Sequence, residues 1–218
     1  MSDENELDNF MGSFCLLFGG FMNSSIIFEE LYSNPVIMAI KNHRDFKKSL
    51  ESDNKVVFVL YGNIETIPGI VSKLKDKGKV VIVHEDLIEG LSNSYYAASF
   101  LKTYTNADGI ITTKPANAVY ARKLGLFSIL RFFVFDSMSY ENMKQTIKDI
   151  NCDVIEMLPG IMPNLIEDIK KRTNIPIVAG GLITTKEEIV KALNSGAVAI
   201  SSSNYNVCLL YTSPSPRD

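Results

Sequence analysis

Eight short apolar runs, most of them rich in β-branched residues, recur along the chain with polar or amphipathic segments between them. They begin near Val36, Val56, Val80, Gly109, Phe127, Asp153, Pro176 and Ala197. The shortest interval, from Gly109 to Phe127, is 18 residues and the longest, from Val80 to Gly109, is 29. Each interval has room for one strand and one returning helix. Strands that are apolar on both faces and separated by helices predict an α/β protein with a parallel sheet covered by helices.

Eight such units favour a closed (β/α)₈ TIM-type barrel over an open doubly wound sheet. No G-x-G-x-x-G follows the first predicted strand, which removes one support for the open form. Only residues 204–218 follow the eighth strand, and they contain Pro-Ser-Pro. The eighth helix is therefore expected to be short or absent. A helix over residues 24–32, with Ile27 and Leu31 on one face, is expected to cover that gap or to close the bottom of the barrel.

Local signals agree with this pattern of elements. Ile67, Val71 and Leu74 share one face of a predicted helix, and Pro163 suits the first turn of another. Thr184, three residues before Glu187, predicts a capping box at the start of a helix.

The charge is distributed unevenly. The chain has 22 basic and 25 acidic residues, a net charge of −3 that taken alone argues against a nucleic-acid binder. Residues 1–34 hold six carboxylates and no cation, and residues 208–218 hold one of each, so 21 basic and 18 acidic residues remain in 35–207. That core charge of +3 permits an RNA partner. We expect residues 1–21 to be an extension outside the fold, 22–207 to be the barrel and 208–218 to be a disordered tail, and whether that tail is native is left open.

Composition places the chain among cytoplasmic globular proteins. Hydrophobic residues make up 46% and charged residues 22% of the chain, and no apolar run approaches the roughly 20 residues that span a bilayer. The three cysteines are far apart and form no C-x-x-C pair, which favours a reducing compartment. We therefore expect no membrane partner and a cytoplasmic location.

Polar residues and glycines mark the ends of the predicted strands, where barrels of this type place their functional groups. The candidate ligand-binding residues are Lys41, His84, Asp86, Lys114, Arg131, Glu156, Gly180, Gly181, Ser201 and Ser202. The glycine pair and the serines follow strands seven and eight, where such barrels commonly hold a phosphate on backbone N–H groups. A tight turn and a surface loop are the simpler interpretation of the same residues.

Several chemistries are open to the other candidates. His84 and Asp86 lie two residues apart and could act as a general base, a ligand clasp or half of a metal site, but no cluster with metal-ligand spacing accompanies them. Glu156 interrupts an apolar strand and should pair with Lys114, Arg131 or ligand hydroxyls. Lys114 could form a Schiff base or attract phosphate. A phosphosugar isomerase or aldolase that uses Lys114 or His84 is thus an alternative function.

Six segments together resemble one known family. They are NPVIMAIKN (34–42), VFVLYGNI (57–64), VHEDLIEGLS (83–92), ADGIITTKP (107–115), DVIEMLPGIMP (153–163) and IPIVAGGLI (175–183). They are similar to the glycerol-3-phosphate-responsive antiterminators, the glycerol uptake operon regulatory proteins of bacteria. The similarity covers about residues 22–206, and the HEDLIEGL and EMLPGIMP segments are its most specific part.

The resemblance implies a regulator rather than an enzyme. Its TIM barrel would bind glycerol 3-phosphate as effector, with no further cofactor and no metal, and would bind the leader mRNA of glycerol-utilisation genes to prevent premature termination of transcription. The family's strand-end positions fall on the candidate residues above, with Gly180, Gly181, Ser201 and Ser202 for the phosphate. A homodimer is left open. The chain departs from the family pattern at its C-terminal end, where SSSNYNV runs into CLLYTSPSPRD.

Overall fold

The computed structural model describes residues 24–91 and 94–210. The predicted extension over residues 1–21 and most of the predicted tail, residues 211–218, lie outside the described residues. Within them, no helix is long and apolar enough to cross a membrane.

Eight parallel strands close into a barrel, as the sequence predicts. The strands pair in chain order and β1 pairs with β8 to complete the ring. They are β1 (Val36–Ile40), β2 (Val56–Val59), β3 (Val80–His84), β4 (Gly109–Thr112), β5 (Phe127–Phe133), β6 (Val154–Leu158), β7 (Ile177–Gly180) and β8 (Ala199–Ser202). Each connection returns over the outside of the barrel, so the fold is a TIM-type (β/α)₈ barrel.

Helix α1 precedes the first strand, and one further helix follows each strand. They are α1 (24–33), α2 (His43–Glu51), α3 (Ile67–Asp76), α4 (Tyr96–Tyr104), α5 (Pro115–Lys123), α6 (Ser137–Thr146), α7 (Pro163–Lys170), α8 (Lys186–Asn194) and α9 (Tyr205–Leu209). A 3₁₀ helix, Glu85–Leu87, follows β3. The helix after β8 is α9, which has five residues, so the prediction of a short eighth helix is confirmed.

The last three strands begin one to two residues later than their predicted starts. Asp153 precedes β6 because its carboxylate accepts hydrogen bonds from the Ser128 N–H, at 2.9 Å, and from Arg122 Nε, at 3.0 Å. Pro176 precedes β7 because proline has no N–H for a ladder, and only its carbonyl pairs, with the Ile155 N–H. Both residues form hydrogen bonds to a neighbouring strand at the amino-terminal end of the barrel.

Helix α1 closes the bottom of the barrel, one of the two positions expected for it. Ile27 and Leu31 are each 1% exposed and belong to the cluster inside the barrel, together with Val56 and Phe127 at the starts of their strands. The Phe28 ring lies edge-on to Phe127, with 5.2 Å between centroids. A second cluster fills the space between the strands and the outer helices.

Helix α9 extends beyond the predicted boundary at residue 207. Cys208 lies within α9, is fully buried and packs in the outer cluster beside Val207. Its carbonyl accepts a hydrogen bond from Asn54 Nδ2 at 3.3 Å, and its thiol donates to the Ser202 carbonyl at 3.4 Å. The prediction of a tail starting at 208 was therefore wrong for Cys208, because its apolar side chain covers the join between β8 and β1.

Helix α8 is capped one residue later than predicted. Thr185, not Thr184, is the N-cap, and its hydroxyl accepts from the Glu188 N–H at 3.2 Å. The Thr184 N–H instead donates to Glu188 Oε2 at 2.7 Å. The capping box is still formed by a threonine and a glutamate, but it lies one residue later. Thr185 has the extended backbone that a cap requires, with φ −126° and ψ 161°.

Candidate functional site

Alternation along the strands directs one polar layer into the carboxyl end of the barrel. Arg131 on β5 is in register with Glu156 on β6, and Gly180 on β7 is in register with Ser201 on β8. These positions share parity with the apolar side chains that fill the barrel interior below them. The layer therefore lies on top of the packed core and faces the loops that follow the strands.

A buried triad forms the centre of this layer. Arg131 Nε donates to Glu156 Oε2 at 2.7 Å, and the Ser201 hydroxyl donates to Glu156 Oε1 at 2.6 Å. Glu156 is fully buried, so its charge depends on these two partners. The prediction that Glu156 pairs with a cation is confirmed, and the cation is Arg131 rather than Lys114. Among the described residues, Arg131 donates to protein only through Nε, which leaves the outer guanidinium nitrogens for a ligand.

A pocket of about 260 Å³ opens directly above the triad. Its floor contains Arg131, Glu156 and Ser201, and its walls come from the ends of β1, β2 and β6 and from the loops after β7 and β8. The wall residues are Ala39, Leu60, Leu158, Gly181, Leu182, Ile183, Thr184, Ser202, Ser203 and Asn204. A larger concavity, of about 310 Å³, lies on the outer surface at α6 and α7, away from the strand ends, and is lined by long charged or amide side chains.

The two glycines of the β7 end are required for different reasons. A Cβ built on Gly180 would lie 2.6 Å from Ser201 Oγ and 2.7 Å from Glu156 Oε1, so only glycine lets the triad form there. Gly181 has φ +77° and lines the pocket, and the next residue, Leu182, has φ +63°. A left-handed leucine is uncommon and marks a loop held in an unusual conformation at the pocket mouth.

A second polar cluster lies at the ends of β3 and β4. Lys114 Nζ is 3.3 Å from Asp86 Oδ1, and Asp86 Oδ2 accepts from the Thr113 N–H at 2.7 Å and its hydroxyl at 3.1 Å. His84 Nδ1 lies 3.9 Å from Asp86 Oδ2, too far for a hydrogen bond. The sequence brings His84, Asp86 and Lys114 together as expected, and Thr113 is a member that sequence reasoning missed.

Two groups of this cluster, His84 and Asp86, have shifted pKa values. Burial, together with the Arg131 cation, lowers the pKa of His84 to about 3, so the imidazole is neutral near pH 7. Burial would raise the pKa of Asp86, but the hydrogen bonds from Thr113, together with His84 and Lys114, outweigh it and lower that pKa. The pair is therefore a neutral imidazole beside a carboxylate, with no proton shared between them.

Three polar atoms of this cluster are buried without a hydrogen-bond partner among the described residues. They are His84 Nδ1, Glu85 Oε2 and Lys114 Nζ. The other Glu85 oxygen accepts from Asn117 Nδ2 in the first turn of α5, at 2.7 Å, and burial raises the pKa of Glu85. Buried polar atoms are normally satisfied, so the orphaned atoms indicate a place for a polar ligand or water. Glu85 and Asn117 were missed in the sequence, where only the HED tripeptide marked the place.

Lys41 lies apart from the other candidates. It follows β1 and is exposed, and its N–H donates to Asp45 Oδ2 at 3.2 Å. Five candidates line the pocket, namely Arg131, Glu156, Gly181, Ser201 and Ser202, whereas Lys41, His84, Asp86, Lys114 and Gly180 do not. A ligand contact for Lys41 stays a prediction. Among residues 24–91 and 94–210, no group of three or more histidine, cysteine, aspartate or glutamate side chains could hold a metal ion.

A family model identifies the family of this chain, and a curated protein is similar over most of its length. Residues 36–207 match the family of glycerol-3-phosphate responsive antiterminators. The chain is 42% identical over 180 residues to the Escherichia coli protein YgcP, covering 83% of this chain and 94% of YgcP.

Two crystal structures of similar proteins extend this result. The glycerol uptake operon antiterminator regulatory protein of Listeria monocytogenes is 36% identical with a TM-score of 0.75, over 78% of this chain and 91% of that one. A glycerol uptake operon antiterminator-related protein of Thermotoga maritima is 34% identical with a TM-score of 0.71, over 81% and 98%. Orotidine 5′-phosphate decarboxylase of Pyrococcus horikoshii, 18% identical with a TM-score of 0.61 over 84% and 93%, shares the fold alone. Because the family model matches residues 36–207, this chain belongs to the glycerol-3-phosphate responsive antiterminator family.

Proposed function

We propose that this chain binds glycerol 3-phosphate at the carboxyl end of its barrel and, when loaded, binds the leader mRNA of glycerol-utilisation genes and prevents premature termination. The ligand is an effector and undergoes no reaction. The observation that carries the proposal is the Arg131–Glu156–Ser201 triad beneath a pocket walled by the loops after β7 and β8.

The pocket suits the phosphate end of a small molecule, and the β3–β4 cluster, which does not line this pocket, offers partners for its hydroxyls. Gly181, Ser202 and the neighbouring loop residues present backbone N–H groups and hydroxyls to a phosphate, as loops at this position of TIM barrels do. The free guanidinium nitrogens of Arg131 add a cation that can bind an anion by two parallel hydrogen bonds.

The orphaned atoms of the β3–β4 cluster suit the glycerol hydroxyls. A hydroxyl can donate to the neutral imidazole of His84 and accept from Lys114 at the same time. Pairing these groups with the ligand would satisfy atoms that the protein leaves without partners. His84 and Lys114 would thus position the ligand rather than transform it.

The same geometry gives little support to an isomerase or aldolase. A histidine whose pKa is lowered to about 3 is a poor base at neutral pH. Lys114 contacts the Asp86 carboxylate, whereas a Schiff-base lysine must lose its proton before it attacks a carbonyl. We therefore assign no reaction to the site.

Lys114→Met tests the proposal with little risk to the fold, because the Lys114 side chain is 36% exposed. We expect wild-type protein to bind glycerol 3-phosphate by calorimetry and to be stabilised as RT ln(1 + [L]/Kd). The variant should bind about tenfold or more weakly, because a charge-assisted contact is lost. Filter binding to a glycerol-operon leader RNA should show retention that depends on glycerol 3-phosphate.

Lys171→Met is the matched control, because Lys171 is an exposed lysine that follows α7 and lies away from the pocket. It should bind ligand and RNA as wild type does. Equal RNA retention with and without glycerol 3-phosphate would contradict the proposal. So would steady turnover of a triose phosphate that disappears in Lys114→Met, which would favour the enzyme.

A further inference from the structure

The segment that carries α4 and α5 is poor in carboxylates. Residues 90–131 contain five basic residues and a single acidic one, Asp108. That carboxylate is occupied, since Lys75 Nζ lies 2.7 Å from it and it also accepts from the Val81 N–H. Three of the five cations pair with carboxylates of other segments, and they are Lys114, Arg122 and Arg131. Helices α4 and α5 contain no aspartate or glutamate, and Lys102 and Lys123 remain exposed on their surface.

Exposed tyrosines cover the same side. Tyr96 is 64% and Tyr104 65% exposed, and Tyr95 is 46% exposed. The Tyr95 ring lies 4.4 Å from Tyr96 and 5.1 Å from Tyr120 of α5, so these three rings form a connected group, while the Tyr104 ring contacts Phe100. We call Tyr95, Tyr96, Tyr104 and Tyr120, with the exposed Lys102 and Lys123, the tyrosine surface.

We propose that the tyrosine surface is where the protein binds single-stranded RNA, an inference that rests on the proposed function. Lysines attract the phosphate backbone, and the rings offer faces on which unpaired bases stack. A second copy of this chain is a poorer occupant. A symmetric contact would bring Lys102 and Lys123 of one copy against the same cations of the other without an acidic partner.

The tyrosine surface is joined to the ligand cluster through α5. Lys114 is the N-cap residue of α5, and Asn117 in its first turn donates to Glu85 beside Asp86. Tyr120 of α5 in turn contacts the Tyr95 ring. Ligand contacts at Asp86 or Lys114 would therefore bias the position of α5 and of the rings that contact it. Such a bias is what a ligand-dependent affinity for RNA requires.

The test compares RNA affinity and ligand affinity in the same variants. Filter binding uses a labelled leader RNA of a glycerol-utilisation operon with saturating glycerol 3-phosphate, and calorimetry measures glycerol 3-phosphate alone. We expect Tyr95→Ala/Tyr96→Ala to weaken RNA binding at least tenfold. Lys102→Met/Lys123→Met should reduce the slope of log affinity against log salt by about 2. Ligand affinity should stay within about twofold of wild type.

Two controls separate this surface from others. Phe135→Ala removes another exposed aromatic, 82% exposed in the loop after β5, and Lys47→Met/Lys171→Met removes two exposed lysines from other helices. Both should bind RNA as wild type does. Circular dichroism checks the folding of each variant, and Tyr104→Ala, at the end of α4, serves if the double tyrosine variant is unstable.

Each result has a distinct meaning. Wild-type RNA binding that survives both double variants, or falls in Phe135→Ala instead, would overturn the tyrosine surface and leave the proposed function standing. Wild-type protein that binds no RNA in the presence of ligand would overturn both. A change of sedimentation mass in Tyr95→Ala/Tyr96→Ala would identify the surface as a contact between copies and would also refute the inference.

Discussion

The two polar regions at the carboxyl end of the barrel differ in how well their buried polar atoms are hydrogen-bonded. On the β5–β6–β8 side, Glu156 receives hydrogen bonds from both Arg131 and Ser201 and is completely buried. On the β3–β4 side, His84 and Lys114 each keep a buried nitrogen without a hydrogen-bond partner. Glu156 thus has its partners without a ligand, whereas the second region is incomplete. A preformed anchor beside an unsatisfied cluster is a reasonable arrangement for a protein that must respond to its ligand rather than merely hold it.

The largest expected effect on the free energy of unfolding comes from removing the cation that pairs with Glu156. Arg131→Met leaves the buried Glu156 carboxylate with only Ser201, and removing one partner of a buried pair typically costs about 3–5 kcal/mol. Urea denaturation should show that loss in the free energy of unfolding. Replacing both partners in Arg131→Met/Glu156→Leu should recover most of it, since no uncompensated charge then remains. A loss below about 1 kcal/mol in the single variant would contradict the conclusion that the buried Glu156 charge depends on Arg131.

The next effect concerns the incomplete region and pH. His84 has a folded-state pKa of about 3, below its ordinary value near 6.5, so the unfolded chain takes up the proton first. The free energy of unfolding should therefore fall progressively as the pH is lowered from about 6.5 to about 3, because of this histidine. The shift corresponds to roughly 3 kcal/mol of lost unfolding free energy by pH 4.

His84→Gln separates this loss from that of the carboxylates. Denaturation at pH 7 and pH 4 should show a smaller pH-dependent loss in His84→Gln than in wild type. His43→Gln removes the other histidine, at the exposed start of α2, and should lose stability as wild type does. Equal losses in the His84 variant and wild type would show that His84 does not remain neutral in the folded protein.

The smallest expected effect tests how tightly the Arg131–Glu156–Ser201 triad is packed. In Gly180→Ala the new methyl group would meet Ser201 Oγ and Glu156 Oε1 at under 3 Å, and overpacking of this kind costs about 1–3 kcal/mol. Gly69→Ala is the matched control, because a Cβ on this exposed glycine of α3 meets nothing within 4 Å. It should gain about 0.5–1 kcal/mol in a helix. A neutral Gly180→Ala would mean that the triad relaxes easily.

The barrel was predictable from the sequence because its signals are local and repeat eight times. Periodic apolar runs and the helix start at Pro163 agree with one another, and five of the eight strands begin at the predicted residue. The shifts at Asp153 and Thr185 arise from side-chain hydrogen bonds that no periodicity reveals. Cys208 was misjudged because its burial depends on contacts with Asn54, which is 154 residues away in the chain.

The site was predictable only as a set of strand-end residues. The sequence offered Lys114, Arg131 or ligand hydroxyls as partners of Glu156, and it assigned Ser201 to a phosphate. It left open which cation pairs with Glu156. Register settles that choice, because Arg131 lies directly beside Glu156 while Lys114 follows β4 on the other side of β5. The Glu85–Asn117 hydrogen bond had no sequence signal, since it joins a 3₁₀ helix to the first turn of a helix 32 residues later.

The closure of the barrel bottom by α1 has a consequence for ligand exchange. Ile27, Phe28 and Leu31 fill one end, so within residues 24–91 and 94–210 the pocket opens at the opposite rim, where Gly181 and Leu182 lie. Arrival and departure must then use the same path, so whatever slows one slows the other. The residence time of the effector, and with it the duration of the signal, would be set by the loops of that rim rather than by the barrel beneath them.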